Sequence, residues 1–218
     1  KTLAAAIQTP PLNLLLTLNT AQGIHALVES LKNSAQVFPG VVGPAIEAQS
    51  FVEAWGGKFT LAMDQKLYKL TKVIPPLTVP GNLRSAQLTD IETVTAWLVE
   101  FDRACLPAGA HQNAAYWREF AERVVVKGNA NFWDVEGEFV SMAFATRPTR
   151  NTYTINCVYT PPTERRKGYA SALVAEVSQK VLDRGKFCLL YTDAANPTSN
   201  KIYQDLGYQF VGASRHYI

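Results

Sequence analysis

The segment that most constrains the fold is a basic, glycine-containing turn, Thr160-Pro161-Pro162-Thr163-Glu164-Arg165-Arg166-Lys167-Gly168-Tyr169-Ala170. Residues 153–159, before this turn, are rich in β-branched and aromatic side chains, which predicts a strand. After it, apolar residues recur at the spacing of one helix face, namely Ala170, Leu173, Val174, Val177 and Val181. The turn therefore joins a strand to a helix. Because backbone N–H groups at a helix start lack partners and carry partial positive charge, the sequence predicts an anion site here, above all for phosphate.

Composition excludes several other classes of protein. The 218 residues are 47% apolar and 18% charged, as in an ordinary globular protein with one large core or two small ones. The net charge is +3 and the one run of basic residues belongs to the turn, so no nucleic-acid partner is expected. Cys105, Cys157 and Cys188 lie in apolar runs, which is typical of thiols in a reducing compartment. We therefore expect a cytoplasmic protein with no metal site, and no apolar run approaches the ~20 residues of a membrane span.

A proline-rich segment, residues 74–81, indicates a domain junction. Its three prolines stiffen the chain and exclude regular structure, so we expect a linker between a domain of residues 1–73 and one of residues 82–218. The predicted order strand, strand, helix, strand, helix, strand occurs in Leu3 to Val73 and again in Glu138 to Val211. This order favours an internal duplication. The alternation that any α/β chain shows is an alternative explanation that the sequence leaves open.

Local signals fix several element ends. Thr20 is predicted to cap a helix, and Pro44 is predicted to lie in the first turn of the next one. In the second part, Thr89-Asp90-Ile91-Glu92 matches a capping box. A further helix is predicted over Ala114 to Val126, and a β-hairpin is predicted to close near Glu136-Gly137.

Two motifs follow one another in the second part of the chain. Neither the glycine fingerprint of dinucleotide-binding folds nor the phosphate loop of nucleotide hydrolases is present. Instead, Arg165-x-x-Gly168-x-Ala170 is followed, after one strand, by Asn196-x-x-Ser199-Asn200-x-x-Tyr203-x-x-Leu206-Gly207-Tyr208. In this order and on these elements, the motifs resemble those of the GCN5-related N-acetyltransferase superfamily, whose first motif binds the pyrophosphate of acetyl-coenzyme A. The resemblance covers about Leu83 to Ile218.

The resemblance implies an α/β (α+β) fold with a mixed, mostly antiparallel central sheet flanked by helices. Together with the repeated order of elements, it predicts two tandem halves of this fold, the first incomplete. At the turn equivalent to Arg165–Ala170, residues 1–73 have Asn19-Thr20-Ala21-Gln22-Gly23, which lacks the motif. The first half is therefore expected to be degenerate and not to bind the coenzyme in the same way.

The resemblance also implies acetyl-coenzyme A as the donor. The residues implied to bind it are Val158, Tyr159, Thr160, Arg165, Arg166, Lys167, Gly168, Tyr169, Ala170, Asn196 and Asn200. Gly168 lets the backbone approach a pyrophosphate, and Ala170, where the family often has glycine, leaves slightly less room. The backbone of residues 158–160 is expected to pair with the pantetheine arm. A solvated basic turn and a plain helix cap at Asn196 are the alternative interpretations.

By resemblance, Tyr203 is the general acid that protonates the departing thiolate, with a phenol pKa near ~10 against ~8.5 for a thiol. A core tyrosine is the alternative, because Tyr203 shares the apolar face of its helix. No general base is evident. The carboxylates Asp134, Glu136 and Glu138 lie near the hairpin where such enzymes place one, and His111 and His216 are isolated; solvated side chains are the alternative for all five.

Three functions fit the motifs. The first is an acetyl-coenzyme A-dependent N-acetyltransferase, in which a primary amine attacks the thioester directly, with no covalent enzyme intermediate. The second is a non-catalytic sensor or scaffold that binds acyl-coenzyme A. The third transfers another acyl group, including an aminoacyl group from tRNA, which the weak basicity disfavours. The expected acceptor is a small-molecule or peptide amine, and the protein is expected to be a monomer or a homodimer.

Overall fold

Strands and helices alternate along most of the chain. The computed structural model describes residues 4–34, 36–105 and 111–218. The strands are β1 (Ala6–Ile7), β2 (Leu14–Leu16), β3 (Val41–Pro44), β4 (Leu61–Leu70), β5 (Asn82–Ser85), β6 (Ala130–Val135), β7 (Glu138–Thr146), β8 (Thr152–Tyr159), β9 (Phe187–Asp193) and β10 (Gln209–Tyr217). The helices are α1 (Ala21–Lys32), α2 (Ala45–Trp55), α3 (Ile91–Cys105), α4 (Ala114–Val126), α5 (Tyr169–Leu182) and α6 (Pro197–Asp205). In these described ranges, no helix is both long and apolar enough to cross a membrane.

The chain forms two compact units. The first unit combines Lys1–Leu67 with Tyr191–Asn200 and Phe210–Ile218, and the second unit combines Tyr68–Leu190 with Lys201–Gln209. This division differs from the expected one at residues 74–81, because the proline-rich segment lies inside the second unit. The end of the chain, expected with residues 82–218, lies in the first unit, where β10 pairs with β3.

The first unit is a mixed sheet covered by two helices. β1 and β2 are antiparallel, β2 and β3 are parallel, and β3 and β10 are antiparallel, with Pro44 opposite Ser214. Helices α1 and α2 cover this sheet through the core residues Ile24, Val28 and Phe51, which are at most 3% exposed. The spacing of four residues between Ile24 and Val28 is typical of one face of a helix.

The second unit contains the sheet order β9-β8-β7-β6-β5. The pairs β5–β6, β6–β7 and β7–β8 are antiparallel, and the pair β8–β9 is parallel. Because side chains alternate along a strand, Ala143 of β7 packs in the cluster with α5, whereas Met142 and Phe144 pack in the cluster with α3 and α4. A mixed, mostly antiparallel sheet flanked by helices is therefore confirmed.

Most of the predicted element ends are present. The Thr20 hydroxyl accepts a hydrogen bond from Gly23 N at 3.0 Å, which caps α1. The β6–β7 hairpin closes at Glu136 and Gly137, both with positive φ. The capping box predicted at Thr89–Glu92 was wrong. A 3-10 turn, Leu88–Asp90, precedes α3, and its box joins the side chains and backbones of Gln87 and Asp90.

The proline-rich segment packs on the second unit. Trp133 Nε1 donates to the Pro80 carbonyl at 2.8 Å. Residues of the segment line a cavity of about 350 Å³ together with α5 side chains, among them Ala172, Ala175 and Glu176. Its prolines therefore give it a fixed extended path along α5.

His216 in β10 is tied to the start of β2. Asn13 Nδ2 lies 2.7 Å from His216 Nε2 and donates to it, because an amide nitrogen cannot accept. Burial holds the pKa of His216 below its ordinary value of 6.5. The neutral ring is therefore the form that suits the folded first unit.

This environment predicts that acid weakens the folded protein through His216. The unfolded chain takes up a proton at His216 as the pH falls below about 6.5, whereas the folded chain takes it up less readily. The free energy of unfolding therefore decreases as the pH is lowered through this range. His216→Gln keeps a polar side chain that does not titrate, and we expect it to flatten the slope of unfolding free energy against pH below 6.5, measured by urea denaturation. His25→Gln, on the exposed face of α1, is the control. An unchanged slope in His216→Gln would contradict this assignment.

Candidate functional site

The site begins at an extra residue in strand β8. Phe144 of β7 lies opposite Asn156, and Met142 lies opposite Tyr159, so two steps along β7 match three along β8. Cys157 lies in this interval, with φ of +48°. A bulge of this kind bends its strand and leaves one residue outside the hydrogen-bonded ladder. The non-glycine residue at positive φ is held because its side chain is buried beside Phe144 and Tyr159.

The pairing of β8 with β9 is short. It joins residues 152–154 of β8 with residues 187–189 of β9. In the described part of the second unit, this ladder extends no further along β8. The bulge therefore lies in the part of β8 that runs beyond its pairing with β9, so that backbone groups of β8 are open to an extended ligand.

The turn after β8 brings β8 to the start of α5. Two of its residues have left-handed backbones, Arg166 with φ of +63° and Gly168 with φ of +88°. Gly168 is the N-cap residue of α5 and, having no side chain, provides no side-chain cap. A Cβ atom at Gly168 would lie 2.9 Å from Val79 Cγ1 of the proline-rich segment. Gly168 is thus required by its φ and by the segment packed against it.

The first amides of α5 are available to a ligand. The first backbone hydrogen bond of the helix is Ala172 N to Gly168 O, at 3.1 Å. The N–H groups of residues 169–171 precede it and receive no cap from Gly168. Together with the helix dipole, these amides form a positive site that suits a phosphate or pyrophosphate.

The three cations of the turn differ in their contacts. Arg165 Nε donates to the Thr160 carbonyl at 3.0 Å, which braces the turn, and the Arg165 guanidinium also acts on the Tyr159 hydroxyl. Lys167 Nζ is 3.0 Å from Glu164 Oε2, so its charge is already paired. Arg166 is exposed, and in the described residues it makes no hydrogen bond or ion pair. It is therefore the cation of the turn that is most available to an anion.

Tyr159, at the end of β8, is held by α3. Its hydroxyl donates to Glu100 Oε2 at 2.5 Å, and its ring packs edge-on against Trp97. Burial and this hydrogen bond raise the pKa of Tyr159 to about 12. Its carbonyl accepts from the buried Ser141 hydroxyl at 3.2 Å. These contacts therefore hold Tyr159 in one position, and its side chain faces the α3 side of the sheet. Val158, by contrast, packs with the α5 cluster.

Tyr203 of α6 packs against the core cluster that includes α5, with its ring 5.8 Å from that of Tyr208. Burial, and then the nearby Cys105 thiol, raise the pKa of Tyr203, so the phenol is protonated at neutral pH. Within the described chain, the Tyr203 hydroxyl has no hydrogen-bond partner. This differs from Tyr208, whose hydroxyl is 2.8 Å from Ser178 Oγ.

Asn196 and Asn200 order the start of α6. Asn196 Oδ1 accepts from Ser199 N at 3.0 Å, so Asn196 caps the helix. Asn200 is 6% exposed, and its Nδ2 donates to the Asp193 carbonyl at 3.0 Å and to the Asn196 carbonyl at 2.6 Å. Both side chains therefore hold the first turn of the helix in place.

The carboxylates near the β6–β7 hairpin belong to the hairpin and make their contacts there. Asp134 Oδ1 accepts from Gly137 N at 2.8 Å, and its other oxygen faces Arg84. Glu136 is a turn residue with φ of +55°, and Glu138 is exposed at the start of β7. None of these contacts brings the three carboxylates to Tyr159 or Tyr203. His216 belongs to the first unit, where it contacts Asn13.

A carboxylate on the buried face of α3 belongs to no motif and was not predicted. Asp102 is 2% exposed and continues the apolar stripe of Val94 and Leu98. Its Oδ2 is 3.1 Å from His111 Nδ1, so His111 is paired and not isolated as expected. Asp102 Oδ1 has no partner among the described residues. The available signal was the spacing of four residues between Val94, Leu98 and Asp102, because a carboxylate at such a position is rarely buried without a reason.

Comparisons with known proteins show where this fold occurs. Residues 136–217 match the model of the family described as FR47-like protein. No curated protein sequence matches the chain. An acetyltransferase of the GNAT family from Colwellia psychrerythraea shares 10% identity and a TM-score of 0.68, over 99% of this chain and 80% of that one. A GCN5-related N-acetyltransferase from Sphaerobacter thermophilus shares 14% identity and a TM-score of 0.65, over 98% of this chain and 75% of that one. A GCN5-related N-acetyltransferase from Kribbella flavida shares 15% identity and a TM-score of 0.63, over 94% of this chain and 80% of that one.

The fold is thus the one that these acetyltransferases share, and the family model covers the turn, α5 and α6.

Gly168 allows a test of the turn by stability. A side chain at a left-handed position costs roughly 1–2 kcal/mol. Gly185, just after α5, has φ of +69°, and no described atom lies within 4 Å of the place that its Cβ would take, so Gly185→Ala should show that cost alone. Gly168→Ala should lose more, because its Cβ also meets Val79. The measurement is urea denaturation of both variants, and equal losses would show that the proline-rich segment does not press on the turn.

Proposed function

We propose that the protein is an acetyl-coenzyme A-dependent N-acetyltransferase that moves an acetyl group to a primary amine by direct attack. The proposal rests on three structural features that follow one another along one segment of the chain. The bulge at Cys157, the end of β8 and the uncapped start of α5 at Gly168 follow one another within a few residues. This arrangement offers an extended backbone to the pantetheine arm and an anion site to the pyrophosphate.

The donor site consists mainly of backbone groups. The amides of Tyr169 and Ala170, with residue 171, face the anion site, and Arg166 adds an unpaired charge at its edge, as far as the described residues extend. Thr160 is partly engaged already, since its carbonyl accepts from Arg165 and its hydroxyl lies 2.8 Å from Ser141 Oγ. The pantetheine arm would therefore pair with the backbone nearer the bulge, at Val158 and at the N–H of Tyr159, because the Tyr159 carbonyl already accepts from Ser141. The N–H of one of these two residues is the proposed donor to the developing oxyanion.

Tyr203 is the proposed general acid. Burial raises the pKa of Tyr203, which keeps its proton in place but makes full transfer to a thiolate in water unfavourable. The same burial would raise the proton affinity of a thiolate leaving beside the ring, because desolvation disfavours both anions. The difference in pKa between the Tyr203 phenol and the leaving thiol is therefore smaller than their values in water suggest. A hydroxyl that lacks a partner within the described chain is also available to the leaving sulfur.

The two buried thiols support direct attack. Burial raises the pKa of Cys157 to about 12 and that of Cys188 to about 11, so neither is a thiolate at neutral pH. A thiolate is the nucleophilic form of cysteine. An acetyl-cysteine intermediate at either position is therefore disfavoured, and the amine itself would attack the thioester.

We also propose that the first half of the chain is a degenerate copy of the second. β1, β2 and β3 repeat the antiparallel and then parallel pairing of β7, β8 and β9. The helix starts differ. Thr20 caps α1 with its hydroxyl, whereas Gly168 leaves α5 uncapped. A filled cap supports the expectation that only the second copy binds the donor.

The test of the proposal combines binding with turnover. We expect calorimetry to show acetyl-coenzyme A binding, and a thiol assay over a panel of primary amines to show thiol release. Tyr203→Phe should bind the donor normally but lower kcat by ~10²-fold or more, because it removes the acid. Tyr153→Phe is the matched control, since its ring packs by Lys186 and not in the proposed site.

The outcomes separate the functions. Undiminished turnover in Tyr203→Phe would remove its role as the acid. Binding without thiol release for any amine would instead favour the non-catalytic sensor or scaffold, and no binding at all would contradict both.

A further inference from the structure

The pair formed by Asp102 and His111 is the strongest unexplained feature of the second unit. Asp102 is a carboxylate that is 2% exposed on the sheet-facing side of α3, and His111 is the residue that its Oδ2 contacts. The His111 side chain is 39% exposed. A buried carboxylate that orients a partly exposed imidazole is an arrangement suited to proton transfer.

The contact fixes the tautomer of the ring. A carboxylate can only accept a hydrogen bond, so His111 Nδ1 carries a hydrogen and donates it to Asp102 across 3.1 Å. In the neutral ring, Nε2 then has a free lone pair. The proton acceptor of the pair is thus Nε2, and Asp102 holds the ring in the orientation that leaves Nε2 free to accept.

The end of α3 lies close to the bulge and to Tyr203. The thiol of Cys105, one helical turn after Asp102, is near enough to raise the pKa of both Cys157 and Tyr203. On the same half of α3, Glu100 accepts the hydrogen bond of the Tyr159 hydroxyl. The helix end that carries Asp102 is therefore the one that meets β8 at its bulge.

A second observation points to a polar ligand on this face. Asp102 Oδ1 and Asn156 Oδ1 are buried side-chain oxygens without partners in the described residues. Asn156 lies opposite Phe144, which packs with α3 and α4, and directly opposed residues share a face of the sheet. Both oxygens can only accept hydrogen bonds, so a ligand that donates them, such as an amine or ammonium group, fits this face.

We infer that His111, oriented by Asp102, is the general base that takes a proton from the acceptor ammonium on the α3 side of β8. This inference rests on the proposed acetyl transfer. His111 Nε2 removes one proton from the ammonium, and the free amine then forms a C–N bond with the thioester carbon while the C–S bond breaks. Tyr203 protonates the leaving sulfur, and the second proton of the nitrogen restores Tyr203 through solvent. Imidazolium releases its proton to solvent, so one proton is released for each amide formed.

His111→Gln tests the base. Glutamine can still donate to Asp102 but cannot take up a proton, so we expect kcat/KM at neutral pH to fall by roughly 10²–10⁴-fold. The loss should shrink as the pH rises toward the pKa of the acceptor amine, because the substrate then arrives already deprotonated. His25→Gln in the first unit is the matched control. A merely structural role would lower the rate by the same factor at every pH, and an unchanged rate would overturn the inference outright.

Asp102 is a positioning residue, and its test does not depend on turnover. In ¹⁵N NMR of the free protein, we expect the His111 ring to be the Nδ1–H tautomer in the wild type, and Asp102→Asn to lose that preference. Glu100, Arg103 and Cys105 are ionisable groups on the same half of α3, so the spectra are compared at one pH. A wild-type ring in the Nε2–H form would contradict the assigned geometry.

These readouts keep the two proposals distinct. If the wild type binds acetyl-coenzyme A but releases no thiol with any amine, the proposed enzyme fails, and the base fails with it. If the wild type turns over and His111→Gln matches it, only the base is wrong.

Discussion

The second unit depends on one extra residue in β8. The residue at Cys157 has a left-handed backbone, and two steps of β7 match three of β8 around it. A strand that carries such a bulge twists away from a regular ladder. The parallel pairing with β9 is confined, in the described second unit, to the first residues of β8, before the bulge. The backbone beyond it, and not a set of reactive side chains, is then the surface on which the donor would lie.

The starts of α1 and α5 differ in how their amides are capped. Helix starts attract anions only when their amides are not already satisfied. Thr20 satisfies one amide at the start of α1, and Gly168 satisfies none at the start of α5. The Thr20 hydroxyl therefore competes with an anion for the amides at the start of α1, whereas no side-chain cap competes at the start of α5. The cations of the turn are secondary, since Lys167 is already paired and Arg165 braces the backbone.

Much of this arrangement could be predicted from local patterns, and the rest depends on contacts between distant residues. The cap at Thr20, the hairpin at Glu136 and Gly137, and the strand–turn–helix around Gly168 are set by a few neighbouring residues, so the sequence predicts them. The pairing of β10 with β3 joins residues far apart in the chain and follows from no local signal. The bulge at Cys157 likewise depends on the register of β7 against β8. The capping box was misplaced by two residues because a 3-10 turn comes before α3. The Asp102–His111 pair was missed because it joins a helix to a residue beyond its end.

The most direct measurement of the central claim is an NMR titration of backbone amides with coenzyme A. If the uncapped start of α5 holds the pyrophosphate, the amide resonances of Tyr169, Ala170 and Ser171 shift strongly. Those of Ala21, Gln22 and Gly23 at the capped start of α1 stay in place. Shifts of similar size at both helix starts, or no shift at α5 under saturating coenzyme A, would contradict the account.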